Sequence, residues 1–123
     1  MVQGYAHNIT FEDKFDLVIL GFFLYLVDRE DYLKVMSEAD RLTKSGGFLA
    51  IIDFDTSFPY SNQYVHKKNM YSHKINNAQV LLASGLYSLA YKYSFSHDDF
   101  CFNEVNDQRL SIMVLFKEKE VFK

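Results

Sequence analysis

Two short apolar runs, separated by a helix-like segment, dominate the first half of the chain. The first, FDLVIL over residues 15–20, has apolar side chains on both faces after Asp16. The second, FLAII over residues 48–52, is apolar throughout. Strands that are covered on both faces of a sheet have this pattern. We therefore predict two buried strands, at about 15–20 and 48–54.

The segment between these runs has the spacing of an amphipathic helix. Its apolar residues recur every three or four positions and form one stripe: Tyr32, Val35, Met36, Ala39 and Leu42. Asp28 is a good N-cap, and Gly46 and Gly47 follow where a helix commonly ends. A helix over about 29–44 would be about 24 Å long, roughly the length of the strand after it. It can therefore carry the chain back to start a parallel neighbour through a right-handed crossover.

The second half of the chain is polar before it becomes strand-like. Residues 60–77 are rich in Ser, Asn, His and Tyr without a clear period, which predicts a long loop suited to cover a site. A short helix is expected over 78–84, ended by Gly85. Segments 86–96 and 109–117 alternate in the manner of strands and are predicted to pair as an antiparallel hairpin.

Composition places the chain among globular domains. Its 123 residues are 49% hydrophobic and 17% aromatic, which is enough for one α/β domain over residues 1–123 with a packed core. The net charge of -3 argues against a nucleic-acid partner. The longest apolar run, about eleven residues, is too short to cross a membrane. With one cysteine, Cys101, and no recognisable signal peptide, we expect a cytoplasmic protein.

Two motifs flank the predicted helix. FDLVIL precedes it, and RLTKSGG at residues 41–47 closes it directly before FLAII. Ahead of the first strand stand GYA at 4–6 and FED at 11–13. This order of motifs resembles the second half of a class I S-adenosylmethionine-dependent methyltransferase. The resemblance implies a partial Rossmann-like three-layer fold, in which the two parallel strands adjoin the terminal antiparallel hairpin.

The resemblance also implies the chemistry. It indicates S-adenosylmethionine as cofactor and methyl transfer to an oxygen or nitrogen of a small molecule. It places cofactor contacts at Tyr5 and Ala6, before the first strand, and at Gly21 and Phe22, directly after it. Tyr5 stands where the family has an acidic adenine contact.

The Gly-rich cofactor loop of the family has no counterpart, because no Gly-x-Gly occurs in the sequence. We therefore expect an incomplete cofactor cleft and weak or absent binding of S-adenosylmethionine by this chain alone. We also expect an unpaired strand edge at 16–20, open to a homodimer or to an amino-terminal partner. The alternative function is that of a non-catalytic remnant that acts as an assembly or binding module through this edge.

Acidic and aromatic residues follow the two predicted strands. Asp53 and Asp55 should lie on one face, about 7 Å apart. They could bind a polar substrate or deprotonate a hydroxyl, or they could simply cap the next turn. Phe22 and Phe23 could face a sulfonium cation or belong to the core.

The candidate bases are His66, His73 and His97, since histidine titrates near neutrality, together with Asp53. Of these, His66 and His73 fall in the predicted loop. Loop histidines are also commonly no more than solvated side chains. The candidate substrate contacts are Phe23, Asp55, Tyr60 and Tyr71, although the tyrosines could equally pack the loop onto the sheet. No histidine or cysteine spacing matches a metal-ligand pattern, so no metal site is predicted.

Overall fold

The computed structural model describes residues 14–63 and 70–122 of the chain. In order, its strands and helices are β1 (Phe15–Gly21), α1 (Arg29–Leu42), β2 (Thr43–Phe54), β3 (Tyr60–Gln63), β4 (Tyr71–Lys74), α2 (Gln79–Ala83), β5 (Tyr87–Ser96) and β6 (Arg109–Lys117). A single 3-10 turn, Leu24–Leu26, lies between β1 and α1. Neither helix in these ranges is long and apolar enough to cross a membrane.

The main sheet has four strands in the order β1-β2-β6-β5. β1 and β2 are parallel, with Leu17 opposite Phe48 and Gly21 opposite Ile52. β6 is antiparallel to both β2 and β5. The predicted α/β fold is therefore confirmed: a helix joins two adjacent parallel strands, and an antiparallel hairpin extends the sheet.

The core lies on the face of the sheet that α1 and α2 cover. Alternate strand residues contribute to it: Val18, Leu20, Leu49, Ile51, Met113 and Leu115. All five members of the predicted α1 stripe are buried. Burial of each large apolar side chain contributes about 1.5–3 kcal/mol. On the opposite face Leu17, Phe48 and Tyr91 remain 47%, 39% and 57% exposed, so the described part of the chain covers the two faces unequally.

The end of α1 differs from the prediction by two residues. The helix ends at Leu42 because Thr43 already has extended backbone, with φ -89° and ψ 125°, and Lys44 belongs to β2. Gly46 has φ +84° inside β2, where the pairing with β1 is irregular, and so does not cap the helix. The glycine is still required, because few other residues adopt a left-handed backbone.

Lys117 of β6 lies at the C-terminal end of α1. Its Nζ donates to the carbonyl oxygens of Asp40 at 2.8 Å and Thr43 at 3.0 Å, and it pairs with the Asp40 carboxylate at 2.9 Å. Tyr87 donates its hydroxyl proton to the same carboxylate at 2.6 Å. A cation at a helix C-terminus complements the dipole, so this contact fastens α1 to the terminal hairpin.

The predicted long loop over 60–77 is wrong in part. It contains β3 and β4, which pair antiparallel with Tyr60 opposite Lys74. On β4 the side chains alternate between buried and less buried, but the buried ones are Ser72 and Lys74. Because polar residues carry this alternation, the hydrophobic pattern could not reveal it. The predicted short helix and its end at Gly85, which has φ +80°, are confirmed as α2.

We predict that Gly47→Ala destabilises the fold by about 1–3 kcal/mol, because overpacking forces the backbone to move. A Cβ at Gly47 would lie 2.8 Å from the carbonyl oxygen of Asp16 and 3.0 Å from that of Lys44. Gly21→Ala is the matched control, since a Cβ there would meet none of the described residues within 4 Å. Urea unfolding of both variants measures the difference, and equal effects would contradict a close approach at Gly47.

Candidate functional site

The turn that follows β1 lies at the carboxyl ends of both parallel strands. The Phe22 N–H donates to the carbonyl oxygen of Ile52 at 2.8 Å, which extends the ladder by one bond. Phe22 has φ +53°, a strained value for a bulky residue, and its side chain is 44% exposed. Apart from its chain neighbours, no atom of the described residues lies within 4 Å of a Cβ placed at Gly21. An exposed aromatic ring therefore stands next to free space at the edge where ligands bind in open parallel sheets.

Asp53 lies beneath this turn, which we define as Phe22–Val27. Its side chain is fully buried, and its Oδ1 accepts the Phe54 N–H at 2.8 Å. Burial raises the pKa of Asp53 to about 6, although the backbone amides of Phe54, Tyr25 and Leu24 favour its ionised form. Oδ2 has no hydrogen-bond partner among the described residues. A buried, perturbed carboxyl at this edge is typical of functional sites.

Arg29, the first residue of α1, contacts the other end of the turn. Its Nη2 donates to the carbonyl oxygens of Leu24 at 3.0 Å and Val27 at 2.7 Å. Its guanidinium lies 4.5 Å from the centroid of the Tyr32 ring. Sequence reasoning did not identify Arg29. One signal in the sequence could have pointed to it. Arg29 is a positive charge at a helix N-terminus, where the helix dipole disfavours a cation, and such a cation is expected to have a specific binding partner.

The β3–β4 hairpin encloses a cleft beside Arg29. The cleft has a volume of about 300 Å³ and is lined by Arg29, Pro59, Tyr60, Ser61, His73, Lys74 and Ile75. The Nδ1 of His73 lies 2.7 Å from the Ser61 Oγ. Burial, followed by the charge of Arg29, lowers the pKa of His73. The imidazole is therefore neutral at neutral pH and able to accept a proton.

Asp107, in the loop before β6, binds three side chains of the β3–β4 hairpin. Its Oδ1 accepts hydrogen bonds from the Tyr60 hydroxyl, from Asn62 Nδ2 at 3.0 Å and from Lys74 Nζ at 3.3 Å. The bond from Tyr60 is the main reason that the pKa of Asp107 is lowered. Lys74 is buried and its Nζ lies 4.1 Å from the centroid of the Phe54 ring. The hairpin that carries His73 is thus fixed to the main sheet.

Asp55 lies in different surroundings from Asp53. It is buried, and its Oδ2 is 2.8 Å from Lys92 Nζ of β5. It lines a separate, shallower cleft of about 750 Å³ together with Thr56, Lys92, Phe102 and Arg109, among others. The two aspartates therefore contact different neighbours, although they are two residues apart on one strand.

The remaining candidates divide between the turn, the hairpin and the undescribed residues. Phe23 is half-buried and packs against the core. Tyr71 is exposed and pairs with Gln63, at the opposite end of the hairpin from Tyr60. The candidates that lie outside the described residues are Tyr5, Ala6 and His66. The structure thus gathers Asp53, Tyr60 and His73 around Arg29, keeps Phe22 at the start of the turn, and leaves Asp55 and Tyr71 apart.

Comparison with known proteins finds a family match for the first part of the chain and a similar fold for most of it. The family described as a methyltransferase domain matches residues 1–51, through β1, α1 and most of β2. A solved S-adenosylmethionine-dependent methyltransferase from Methanosarcina mazei superposes with a TM-score of 0.69 at 16% identity, over 94% of this chain and 65% of its own. The chain has a methyltransferase fold. The predicted resemblance to the S-adenosylmethionine-dependent methyltransferases is thereby confirmed.

Two further methyltransferase structures give the same picture. The 1,6-didemethyltoxoflavin-N1-methyltransferase of Burkholderia thailandensis has a TM-score of 0.68 at 11% identity, over 93% of this chain and 48% of its own. The N-methyltransferase NodS of Bradyrhizobium japonicum has a TM-score of 0.59 at 10% identity, over 93% of this chain and 52% of its own. The chain therefore spans about half to two thirds of the methyltransferases it matches. No curated protein sequence matches it significantly.

We predict that ionisation of Asp53 reduces the stability of this methyltransferase fold. Its pKa rises from 3.8 to about 6 on folding, so the folded chain binds the proton more tightly than the unfolded chain. The stability should therefore fall by about 3 kcal/mol as the pH rises from about 4 to about 6, and this loss should then level off.

Asp53→Asn removes the charge and keeps the shape. The variant should match the wild type at acidic pH and exceed its stability at about pH 8, because it avoids the buried charge. Denaturant unfolding over a pH series measures this, with Asp55→Asn as the control that removes a paired carboxylate. A difference between Asp53→Asn and the wild type that does not vary with pH would contradict the prediction.

Proposed function

We propose that the chain takes part in S-adenosylmethionine-dependent methyl transfer to an oxygen or nitrogen of a small molecule. The observation that carries this proposal is the edge formed by Gly21 and Phe22 in a methyltransferase fold. Two structural relatives are N-methyltransferases that contain S-adenosylhomocysteine, and a glycopeptide N-methyltransferase contains S-adenosylmethionine. These relatives support the cofactor and favour a nitrogen acceptor.

The residues after β1 fit the methyl-donor end of the cofactor. S-adenosylmethionine supplies its methyl group from a sulfonium cation. The space beside Gly21, where no described residue comes within 4 Å of a Cβ position, gives room for the ligand, and the exposed ring of Phe22 offers an aromatic face that attracts a cation. Phe23 supports the turn from the core. Tyr5 and Ala6 are proposed contacts on the basis of the family resemblance.

His73 is the candidate base that the geometry favours. It lines the 300 Å³ cleft with Tyr60, and the lowered pKa keeps its imidazole unprotonated at neutral pH. Asp53 has no exposed surface through which a substrate could reach it. We therefore assign the small-molecule acceptor to the cleft, where Tyr60 would contact it and His73 would accept its proton. Asp55 and Tyr71 lie outside this cleft, and no part in the reaction is proposed for them.

Binding of the cofactor by this chain alone should be weak. The sequence holds no Gly-x-Gly turn, and such a turn allows a backbone to approach a nucleotide closely. The edge at Gly21 and Phe22 then supplies only part of the contacts. Methyl transfer by the 123 residues alone is accordingly expected to be slow or absent.

We predict that millimolar S-adenosylhomocysteine perturbs the backbone amide resonances of residues 21–25 of the isotope-labelled chain. The affinity should be weaker than micromolar because the cleft is incomplete. Phe22→Ala should reduce these shifts because it removes the aromatic face. Phe100→Ala should leave them unchanged, since that ring is exposed in the loop between β5 and β6. Absence of any shift at this edge, or shifts confined to the cleft of Asp55 and Lys92, would overturn the proposal.

The position of β1 at one end of the sheet favours a second candidate function, that of an assembly module. Among the described residues no strand pairs with the outer edge of β1, and the side chain of Leu17 on this strand is 47% exposed. Such an edge is a template for pairing with another chain. We predict concentration-dependent dimers in size-exclusion chromatography, and Leu17→Lys should reduce them because a charge on an edge strand opposes pairing. Leu33→Lys, an exposed leucine on α1, is the control, and a monomer at all concentrations would exclude this function for the isolated chain.

A further inference from the structure

The turn over Phe22–Val27 is held at its two ends by opposite charges. Within the turn, the N–H groups of Leu26 and Val27 donate to the carbonyl oxygens of Phe23 and Leu24 at 3.0 and 3.2 Å. The N–H groups at the start of such a turn have no acceptor within it. The carboxyl of Asp53 is fully buried and accepts the Phe54 N–H at 2.8 Å, and the amides of Leu24 and Tyr25 favour its ionised form. Arg29 binds the carbonyl end.

We propose that Asp53 and Arg29 are positioning residues: the Asp53 carboxylate holds the amide end of the turn, and the Arg29 guanidinium holds its carbonyl end. Together they keep Phe22 at the edge of β1 in its left-handed conformation. The consequence for catalysis rests on the proposed function, because only there does Phe22 meet a methyl donor. The conformation of the turn depends on the fold alone, so the role of the two residues in holding it does not rest on the proposed function.

A carboxylate is a costly choice for this position, which argues for a specific role. Asp53 is fully buried with one oxygen unpartnered, and a neutral side chain of the same shape would avoid the cost of burying a charge. Backbone amides favour the ionised carboxyl, and a hydrogen bond to an ionised acceptor, such as the one that Asp53 Oδ1 accepts from the Phe54 N–H, is roughly twice as strong as one to a neutral acceptor. The charge also attracts Arg29, so each residue strengthens the hold of the other.

Other ionisable groups lie near Asp53 and Arg29, and their titration has to be distinguished from that of Asp53. From α1, Tyr32 interacts with both Asp53 and Arg29, but burial raises its pKa to about 12, so it does not titrate near neutrality. Asp28, the N-cap residue, interacts with Arg29. The charge of Arg29 lowers the pKa of His73 on β4, and the charge of Asp28 raises it. On β6, uncharged Ser111 lies opposite Asp53.

The first test follows the amide resonances of Leu24 and Tyr25 in the labelled 123-residue chain from about pH 5 to about pH 8. In the wild type both should shift with one midpoint, at about pH 6. The shift should vanish in Asp53→Asn and persist in His73→Gln and Asp55→Asn. A flat profile in the wild type, or a shift that remains in Asp53→Asn, would overturn the role of Asp53.

The second test measures hydrogen exchange at the amides of Leu26 and Val27. Arg29→Met should accelerate it roughly ten- to a hundred-fold, since hydrogen bonds to a charged group contribute that much. Arg29→Lys should lie between, because an ammonium cannot reproduce the planar guanidinium. Lys34→Met, an exposed cation on α1, is the control.

Unchanged exchange in Arg29→Met would overturn the role of Arg29. Neither measurement contains the cofactor. A failure to bind S-adenosylhomocysteine would therefore count against the proposed function and leave the positioning role intact.

Discussion

The parallel pairing of β1 with β2 is the constraint on which the rest of the structure depends. Parallel neighbours cannot be joined by a tight turn, so the chain has to return along the full length of the sheet. The 14 residues of α1 provide this return, at about 21 Å. One consequence is that both strands end at the same edge. The turn after β1 and the last residues of β2 meet there, and Asp53 can reach a turn that lies about 30 residues earlier in the chain.

Several local preferences are violated within a small volume around this edge. Phe22 has a positive φ, Asp53 is a buried carboxyl, and Arg29 places a positive charge at a helix N-terminus. Each feature costs stability alone, and contacts to a neighbour offset part of the cost. Natural sequences tend to break local rules at functional sites rather than at random. Away from this edge the pattern is conventional, as where Lys117 supports the end of α1. The concentration of conflicts is the strongest internal sign that the edge has a function.

The sequence predicts those parts of the fold in which hydrophobic residues carry the periodicity. The stripe of α1, the FLAII strand and the terminal hairpin follow directly from it. β3 and β4 could not be predicted because the buried side chains on β4 are the polar residues Ser72 and Lys74. Lys74 pairs with Asp107, which lies 33 residues later in the chain. The site shows the same division. Alternation along the strand predicts that Asp53 and Asp55 lie on one face. Their neighbours follow only from the tertiary structure, in which Asp53 lies against a turn and Asp55 pairs with Lys92.

The two candidate functions make opposite geometric demands on the same edge of β1. Two copies related by a two-fold axis would pair their β1 edges antiparallel, so that the Phe22 end of one strand meets the start of the other. Such a dimer covers the edge of β1 but does not bring the carboxyl end of another strand next to Phe22. A strand that joins β1 in the parallel sense would end beside Phe22, where ligands bind in parallel sheets. The orientation of whatever pairs with β1 therefore decides between the two functions: an antiparallel copy suits a binding module, and a parallel strand suits a methyltransferase.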